Sequence, residues 1–121
     1  MGNTANQIKK AMEIDGSIAA AIVDSESGMT LATAGGGAAF DIEVAAAANT
    51  NVVQAKLKAM NALRLSDELE DILITLGKQY HIIRPLRRAP AVFYYIACDR
   101  NKTNLAMARR TLAEIEHATT L

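Results

Sequence analysis

The side chains that most often carry enzyme chemistry are few and scattered in this sequence. His81 and His117 fall on different predicted elements, and Cys98 is the single cysteine, so no spacing typical of a metal site results. The glycine–lysine pair at 77–78 is followed by Gln79, which breaks the phosphate-loop pattern. Neither histidine lies near a plausible nucleophile in the sequence. We therefore predict that the protein is not an enzyme and uses no cofactor and no metal ion.

The most prominent group of charges is Arg84, Arg87 and Arg88, which surround one predicted exposed turn. Guanidinium groups are suited to binding carboxylates and phosphates, so this turn is a candidate contact for an anion or an acidic partner. The alternative is a turn whose charges are simply solvated. The sequence alone leaves both interpretations open.

Composition limits the kinds of partner that this chain can have. Half of its 121 residues are hydrophobic, which is enough for a folded core. The formal net charge is zero, so non-specific binding to nucleic acid has no electrostatic basis. One cysteine fits a reducing compartment, and no apolar stretch approaches the ~20 residues of a membrane span. These features predict a cytoplasmic protein with no membrane span and no nucleic-acid partner.

Hydrophobic periodicity predicts the elements that must position these residues. Thr4 is predicted to cap a short first helix, with Gln7 completing a capping box, and Asp41 to cap a long helix that runs to Met60. Gly35–Gly37 reads as a flexible break, and a last helix carries the stripe Leu105–Ile115. The predicted strands are Ser17–Asp24, Met29–Ala34, Leu69–Leu76, Tyr80–Arg84 and Ala91–Cys98.

The order of these elements predicts the fold class. Short loops between the strands favour antiparallel pairing, and strands that are apolar on both faces need helices on both sides of the sheet. We predict an α/β fold of the α+β type: one three-layer α/β/α domain over residues 1–121, in the order αββαβββα, with a five-stranded antiparallel sheet.

The long central helix has an unusually wide apolar surface. Two adjacent apolar arcs together cover roughly 220° of a helical wheel, whereas an ordinary surface helix shows a stripe a little over ~100° wide. The remaining face is mostly polar and includes Thr50. The first arc contains Ile42, Ala45, Ala46, Val52, Val53, Leu57, Met60 and Leu63, and the second, of small residues, contains Val44, Ala48, Ala55, Ala59 and Ala62.

Such a helix must bury one side on its own domain and another side on a further surface, which we expect to belong to a second protein chain. The alternative is that both arcs pack within the monomer. Asn49 and Lys56 fall within the large apolar arc, where they could fix the register of a dimer, or Lys56 could extend to its edge. The helix residues predicted at the interface are Val44, Ala48, Asn49, Val52, Ala55, Lys56 and Ala59.

Three segments carry a resemblance to a known family. They are the hairpin Ile14–Gly28, the start of the alanine-rich helix at Asp41–Glu43, and the strand Glu70–Leu76. Over about Thr4 to Ala118 the sequence resembles the Roadblock/dynein light chain family, and more closely its prokaryotic branch. The resemblance implies a homodimer or heterodimer in which the central helices pack together. The strands after them pair across the dimer, which brings Ile72 and Ile74 into the predicted interface.

The same resemblance implies a regulator or scaffold of a small Ras-like GTPase. Its predicted contact residues are the polar face of the central helix and then the arginine turn, where an arginine could also assist GTP hydrolysis in the partner. The alternative function is a profilin-like sensory or small-ligand-binding domain, which would need polar groups converging in an apolar cleft. The predicted partner-binding residues are Glu43, Asn51, Gln54, Lys58, Asn61, Arg84, Arg87 and Arg88.

Overall fold

The computed structural model describes residues 2–121, and its elements follow the predicted order αββαβββα. The helices are α1 (Thr4–Met12), α2 (Ile42–Ala62) and α3 (Leu105–His117), and a short 3-10 helix at Arg100–Lys102 precedes α3. The strands are β1 (Ser17–Asp24), β2 (Thr30–Gly35), β3 (Ile72–Thr75), β4 (Gln79–Pro85) and β5 (Val92–Asp99).

All five strands form one antiparallel sheet in the order β2-β1-β5-β4-β3. The central pair is β1 and β5, in which Ala21 lies opposite Tyr95. Both strands are almost fully buried, because each has a neighbour on both edges and helices on both faces. The predicted fold class is therefore confirmed, and the sheet ends in two open edges, β2 and β3.

The sheet separates two hydrophobic cores, since alternate residues of a strand point to opposite faces. On one face Ile22, Tyr94 and Ile96 pack with α1 and α3 residues such as Leu112. On the other face Val23, Phe93 and Tyr95 pack with Ala46 and Val53 of α2. The predicted three-layer arrangement thus has two helices on one side and one helix on the other.

The start of α1 differs from the predicted capping box. Thr4 is already helical, and the residue before it, Asn3, makes no side-chain cap. The Asn3 amide instead donates to the Ala118 carbonyl at 2.7 Å and accepts from the Thr120 N–H at 2.7 Å, which ties the two ends of the domain together. Gln7 is buried, and its Oε1 has no hydrogen-bond partner within residues 2–121. The capping-box prediction is therefore wrong.

The central helix begins as predicted and ends two residues later than predicted. The Asp41 carboxylate accepts from the N–H groups of Glu43 and Val44, which confirms the predicted cap. At the other end Arg64 has φ of 56°, and the Leu65 N–H donates to the Met60 carbonyl at 3.0 Å. This is the Schellman geometry, with an arginine at the position that usually favours glycine.

The third strand is shorter than predicted. The sequence suggested Leu69–Leu76, but only Ile72–Thr75 pairs with β4. The residues before it are acidic and poorly suited to a strand. Asp71 is held by the Arg109 guanidinium of α3, with N–O distances of 2.9 and 3.0 Å. The preceding loop is therefore fixed by side chains and not by the sheet.

Candidate interaction surface

The face of α2 that packs on the sheet is narrow. Ala46, Thr50 and Val53 are buried, and Ile42 and Met60 are half-buried. Thr50 was predicted on the polar face, but its hydroxyl donates to the Ala46 carbonyl at 3.0 Å within the buried side of the helix. The hydroxyl is satisfied by its own helix, so threonine is tolerated against the core and its predicted position is wrong.

The second apolar face of α2 is open to solvent in the single chain. Val44 is 63 % exposed, and Leu63, just beyond the helix end, is 66 % exposed. Neither arc is fully covered within residues 2–121, so the alternative of complete packing inside the monomer is wrong. The predicted interface residues on this exposed face are Val44, Ala48, Val52, Ala55 and Ala59.

The two polar residues predicted within this apolar surface have different environments. Asn49 is half-buried, and its amide donates to the Ala45 carbonyl at 2.7 Å, so its own helix satisfies the amide donor. Lys56 is exposed and makes no ion pair among the described residues. Lys56 therefore lies at the margin of the sheet-facing side and extends into solvent.

The β3 edge offers unpaired backbone groups. The Leu76 N–H donates to the Gln79 carbonyl at 2.8 Å, which fixes the hydrogen-bonding register of the β3–β4 ladder. Antiparallel ladders alternate, so the N–H and C=O groups of Leu73 and Thr75 point away from β4. The side chains of Ile72 and Ile74 are half-buried on the α2 side of the sheet.

The polar face of α2 lies along the β1–β2 hairpin. The Thr30 hydroxyl donates to the Glu43 carboxylate at 3.0 and 3.1 Å, and the Gln54 amide donates to the Ser25 carbonyl at 2.7 Å. Two of the five predicted partner residues on this helix thus bond to the hairpin. The remaining three, Asn51, Lys58 and Asn61, are exposed.

The arginine turn is only partly exposed. The Arg84 side chain is 15 % exposed, and its Nε donates to the buried Glu116 carboxylate at 3.0 Å. Arg87 and Arg88 are exposed, and Arg87 lies 3.6 Å from the exposed Glu68 carboxylate. The expectation of three exposed arginines is wrong for Arg84. Its partner lies on α3, far away in the sequence, and no local pattern signals such a contact.

A histidine on the α2 side of the sheet takes part in a polar network that the sequence did not reveal. His81 Nδ1 lies 3.1 Å from the Tyr95 hydroxyl, and its Nε2 lies 2.8 Å from the Gln79 Oε1. Phe40 contacts the ring edge-to-face. Burial lowers the pKa of His81 and raises the pKa of Tyr95 to about 12, because both charged forms lose hydration.

The remaining side chains that could carry out catalysis or bind a metal ion are not arranged into a site in the described part of the chain. Cys98 is buried, and burial raises the pKa of its thiol to about 11, as expected of a core residue. Within the described part of the chain no cluster of His, Cys, Asp and Glu side chains could hold a metal ion. None of the helices in residues 2–121 is long and apolar enough to cross a membrane.

A cleft and a groove border these elements. A cleft of about 240 Å³ lies between the end of α2 and the turn after β4, with Leu57, Met60 and Arg84 among its walls. An open groove of about 640 Å³ lies between α1 and α3. The cleft is smaller than the ~300–1,000 Å³ of ordinary ligand pockets.

The described architecture has one antiparallel sheet in the order β2-β1-β5-β4-β3, with α1 and α3 on one face and α2 alone on the other. This is the Roadblock class of fold. The chain has the Roadblock/LC7 fold in the form found in bacterial proteins, and the predicted resemblance is confirmed at the level of the fold.

Three solved structures illustrate the similarity. The Roadblock/LC7 domain from Streptomyces avermitilis matches with a TM-score of 0.80 and 9 % identity, over 93 % of this chain and 90 % of that chain. MglB from Myxococcus xanthus matches with a TM-score of 0.75 and 16 % identity, over 93 % and 78 %. The gliding protein MglB from Thermus thermophilus matches with a TM-score of 0.67 and 13 % identity, over 93 % and 87 %.

By sequence, no family model matches this chain, and no curated protein does.

Proposed function

We propose that this chain belongs to the prokaryotic branch of the Roadblock family and acts as a cytoplasmic homodimer that regulates or scaffolds a small Ras-like GTPase without catalysing a reaction itself. The observation that carries the proposal is the exposed apolar face of α2 beside an open strand edge. The resemblance of the sequence to the family and the fold shared with the MglB proteins support the GTPase partner.

The apolar face of α2 and the half-buried side chains of β3 lie on the same side of the sheet. Glu43 and Gln54 bond to the β1–β2 hairpin, so the polar face of the helix is directed toward the β2 side of the sheet. The apolar face is on the opposite side of the helical wheel and is therefore directed toward β3. The half-buried side chains of Ile72 and Ile74 lie on this same side of the sheet.

A second copy of the chain fits this surface. Small residues such as Ala48 and Ala55 allow two helix backbones to approach closely, and the outward groups of Leu73 and Thr75 can pair with their counterparts across a twofold axis. The partner helix would then cover the half-buried isoleucines. Obligate interfaces of this kind commonly bury ~2,000 Å² or more in total.

Sedimentation of the purified protein at low micromolar concentration tests the homodimer. We expect twice the chain mass of 12.9 kDa. Thr75→Pro removes one outward N–H from β3 without touching the β4 ladder and should shift the protein toward the monomer. Thr33→Pro, which alters the opposite edge of the sheet, is the matched control and should remain dimeric. A wild-type monomer would contradict the homodimer.

Charge reversal tests the GTPase contact. Lys58 is exposed on the polar face, and reversing an exposed contact charge mainly slows association and changes its salt dependence. We expect Lys58→Glu to weaken binding to a nucleotide-loaded small Ras-like GTPase of the same organism by about tenfold while leaving the dimer intact. Arg87→Glu provides the comparison, because Arg87 is an exposed residue of the arginine turn, the alternative contact.

Each outcome of this comparison has a distinct meaning. Normal binding by Lys58→Glu together with loss by Arg87→Glu would move the contact from the helix to the arginine turn. If both dimeric variants bind the GTPase as well as the wild type does, the proposed contact surfaces are wrong. The homodimer proposal would then be unaffected, whereas the proposed contact with a GTPase would have lost its support.

A further inference from the structure

The edge of the sheet at β3 is regular. Residues 72–75 pair with β4 in unbroken register, without a β-bulge. Within them, Leu73 and Thr75 direct their backbone N–H and C=O groups away from β4. A second copy that pairs antiparallel about a twofold axis must use these same groups, so Leu73 and Thr75 pair either with themselves or with each other. Three registers result, in which Leu73, Ile74 or Thr75 lies on the axis.

Opposite charges lie at the two ends of β3. Glu70, just before the strand, is exposed and has no ion pair within residues 2–121. Lys78 is exposed in the turn after the strand and also lacks an ion pair in the described part of the chain. Arg100 adds to the positive charge of this basic turn, because its backbone N–H donates to the Lys78 carbonyl at 3.1 Å and its guanidinium to the Leu76 carbonyl at 2.8 Å. The strand thus runs from an unpaired carboxylate to an unpaired ammonium group.

Most of the other charges at these two ends are engaged within the chain. The pKa of Arg109 is raised mainly by its hydrogen bonds to Asp71 and only last by Glu70, so its guanidinium belongs to Asp71. Asp67 and Arg88 are exposed near the acidic end, and their opposite charges offset each other. The remaining contacts are Arg87 with Glu68, Arg84 with Glu116, and the Asp99 carboxylate with the Asn101 N–H.

The register with Ile74 on the axis places matching side chains together on the α2 side of the sheet. Residues that lie opposite each other in an antiparallel pair share a face. Ile74 then lies opposite its own counterpart, and Ile72 lies opposite Leu76 of the second copy. Leu76 is 43 % exposed in the single chain and gains an apolar neighbour. Glu70 lies beside the basic turn of the second copy, within reach of the long Lys78 side chain.

The other two registers place unlike side chains together. With Leu73 on the axis, the exposed Leu76 would lie opposite the Glu70 carboxylate of the second copy. With Thr75 on the axis, the apolar Ile72 would lie opposite the basic turn. Each of these pairings sets an apolar side chain against a charge, and neither places Glu70 beside the basic turn. Side-chain chemistry therefore favours the register with the axis between the two outward residues.

We propose that β3 recognises β3 of a second copy in the register with Ile74 on the twofold axis, in which Glu70 of each chain pairs with Lys78 of the other. The inference rests on the homodimer of the proposed function and names the residues that select its partner. The pair forms on both sides of the axis, because a strand with an acid before it and a base after it complements itself. A related chain without this order of charges would bring like or missing charges to the same edge.

Single cysteines report which residue lies on the axis. Ile74 and its counterpart would form a non-hydrogen-bonded pair with Cα atoms ~4.5 Å apart, a distance that a disulfide can span. We expect Ile74→Cys to give a covalent dimer under mild oxidation with copper–phenanthroline. In this register the two copies of residue 73, and those of residue 75, are diagonal neighbours ~7–8 Å apart. Leu73→Cys and Thr75→Cys should therefore give little covalent dimer, and the wild type, whose Cys98 is buried, should give none.

Charge reversal tests the ion pair at two exposed positions. Glu70→Lys and Lys78→Glu each bring like charges together on both sides of the axis, and each should weaken the homodimer by about tenfold at low ionic strength. An equal mixture of the two variants should form a heterodimer with the affinity of the wild type, because both pairs are restored. Glu68→Lys is the matched control. It should dimerise as the wild type does and should not rescue Lys78→Glu.

Sedimentation and cross-linking together separate this inference from the homodimer proposal. A wild-type monomer would overturn both. A wild-type dimer overturns the register alone if Leu73→Cys or Thr75→Cys cross-links faster than Ile74→Cys, if neither charge reversal weakens the dimer, or if the mixture is not restored. Rescue of Lys78→Glu by Glu68→Lys would overturn it in favour of the register with Leu73 on the axis. If Ile74→Cys does not fold, the charge variants decide the question.

Discussion

Glu116 organises one end of the sheet although it is a single carboxylate. Its Oε1 accepts from Arg84 on β4, and its Oε2 accepts from the Arg87 N–H at 3.2 Å in the following turn. Removing one partner of a buried ion pair typically costs ~3–5 kcal/mol, whereas an exposed pair such as Arg87–Glu68 is worth ~0–1 kcal/mol. Arg84 therefore belongs to the framework, and Arg87 keeps an accessible charge.

At the same scale, His81 should make stability depend on pH. Burial lowers the pKa of His81 in the folded state below the ordinary value of a histidine, about 6.5, so the unfolded chain takes up the proton first. The contribution of neutral His81 to the free energy of unfolding is complete above about pH 6.5. It is lost as the pH falls through that value toward the pKa of His81 in the folded state. Denaturant midpoints measured at about pH 7.5 and about pH 5.5 should therefore fall with acid.

His81→Gln should show a smaller loss between the two pH values, although it is less stable at the higher one. His117→Gln is the comparison: the His117 side chain is exposed and its Nε2 lies 3.7 Å from the Glu116 carboxylate, so its replacement should not reduce the acid loss. An undiminished acid loss in His81→Gln would assign the effect to other groups.

Residue identities explain which local predictions held. Asp41 was recognisable as a cap because the signal lies within three residues of it. The start of α1 could not be recognised in the same way, because both Asn3 and Thr4 are suitable cap residues. The Asn3 side chain bonds instead to Thr120, which is far away in the sequence. Arg84 was misplaced for the same reason, since its partner Glu116 lies on a distant element.

At the scale of elements, α2 has three functions on three faces. One face packs on the sheet through Ala46 and Val53, the second holds the β1–β2 hairpin through Gln54, and the third is apolar and open. The helix contributes only a narrow part of its surface to the core. Its length and apolar character are therefore accounted for only when the third face is also covered.

Two identical substitutions on α2 should have different effects. Ala55→Leu enlarges a small residue on the apolar face, where overpacking typically costs ~1–3 kcal/mol. We expect it to weaken the dimer by about tenfold or more. Ala47→Leu makes the same change on the polar side, where the residue is also exposed, and should leave the mass unchanged. Equal dimerisation of the two variants in sedimentation experiments would mean that the small-residue face is not the interface.

The polar and apolar faces of α2 were predictable in outline because helical periodicity is a local property of the sequence, but the burial of Thr50 was not. The length of β3 could not be predicted from the sequence in this way. Its alternating pattern extends back to Leu69, but the pairing stops at Ile72 because the Asp71 carboxylate is drawn to Arg109 on α3. Where a contact between two elements determines the end of a strand, the hydrophobic periodicity of the sequence does not show that end.

At the scale of the whole molecule, the two faces of the sheet are unequally covered. α1 and α3 cover one face, whereas the single helix on the other leaves Ile72 and Ile74 half-buried. A chain with half its residues hydrophobic could cover both faces. The uneven coverage is what the proposed homodimer would complete.

Thermal stability should therefore depend on protein concentration. If only the folded chain dimerises, mass action raises the melting temperature as concentration increases. Calorimetry across about a hundredfold range of concentration should show a steady rise for the wild type and a smaller one for Thr75→Pro. A melting temperature independent of concentration would contradict a dimer coupled to folding.

The central pairing of the sheet also affects how quickly the chain can fold. The hairpin of β1 and β2 and the meander of β3, β4 and β5 each form from neighbouring segments, but the sheet joins them only along the β1–β5 pairing, where Ala20 lies opposite Ile96. Closing that long loop, which contains all of α2, costs conformational entropy before the contacts between β1 and β5 can form and stabilise the fold. We expect the joining of these two halves to limit the refolding rate, with the edges of β1 and β5 both exposed until it occurs.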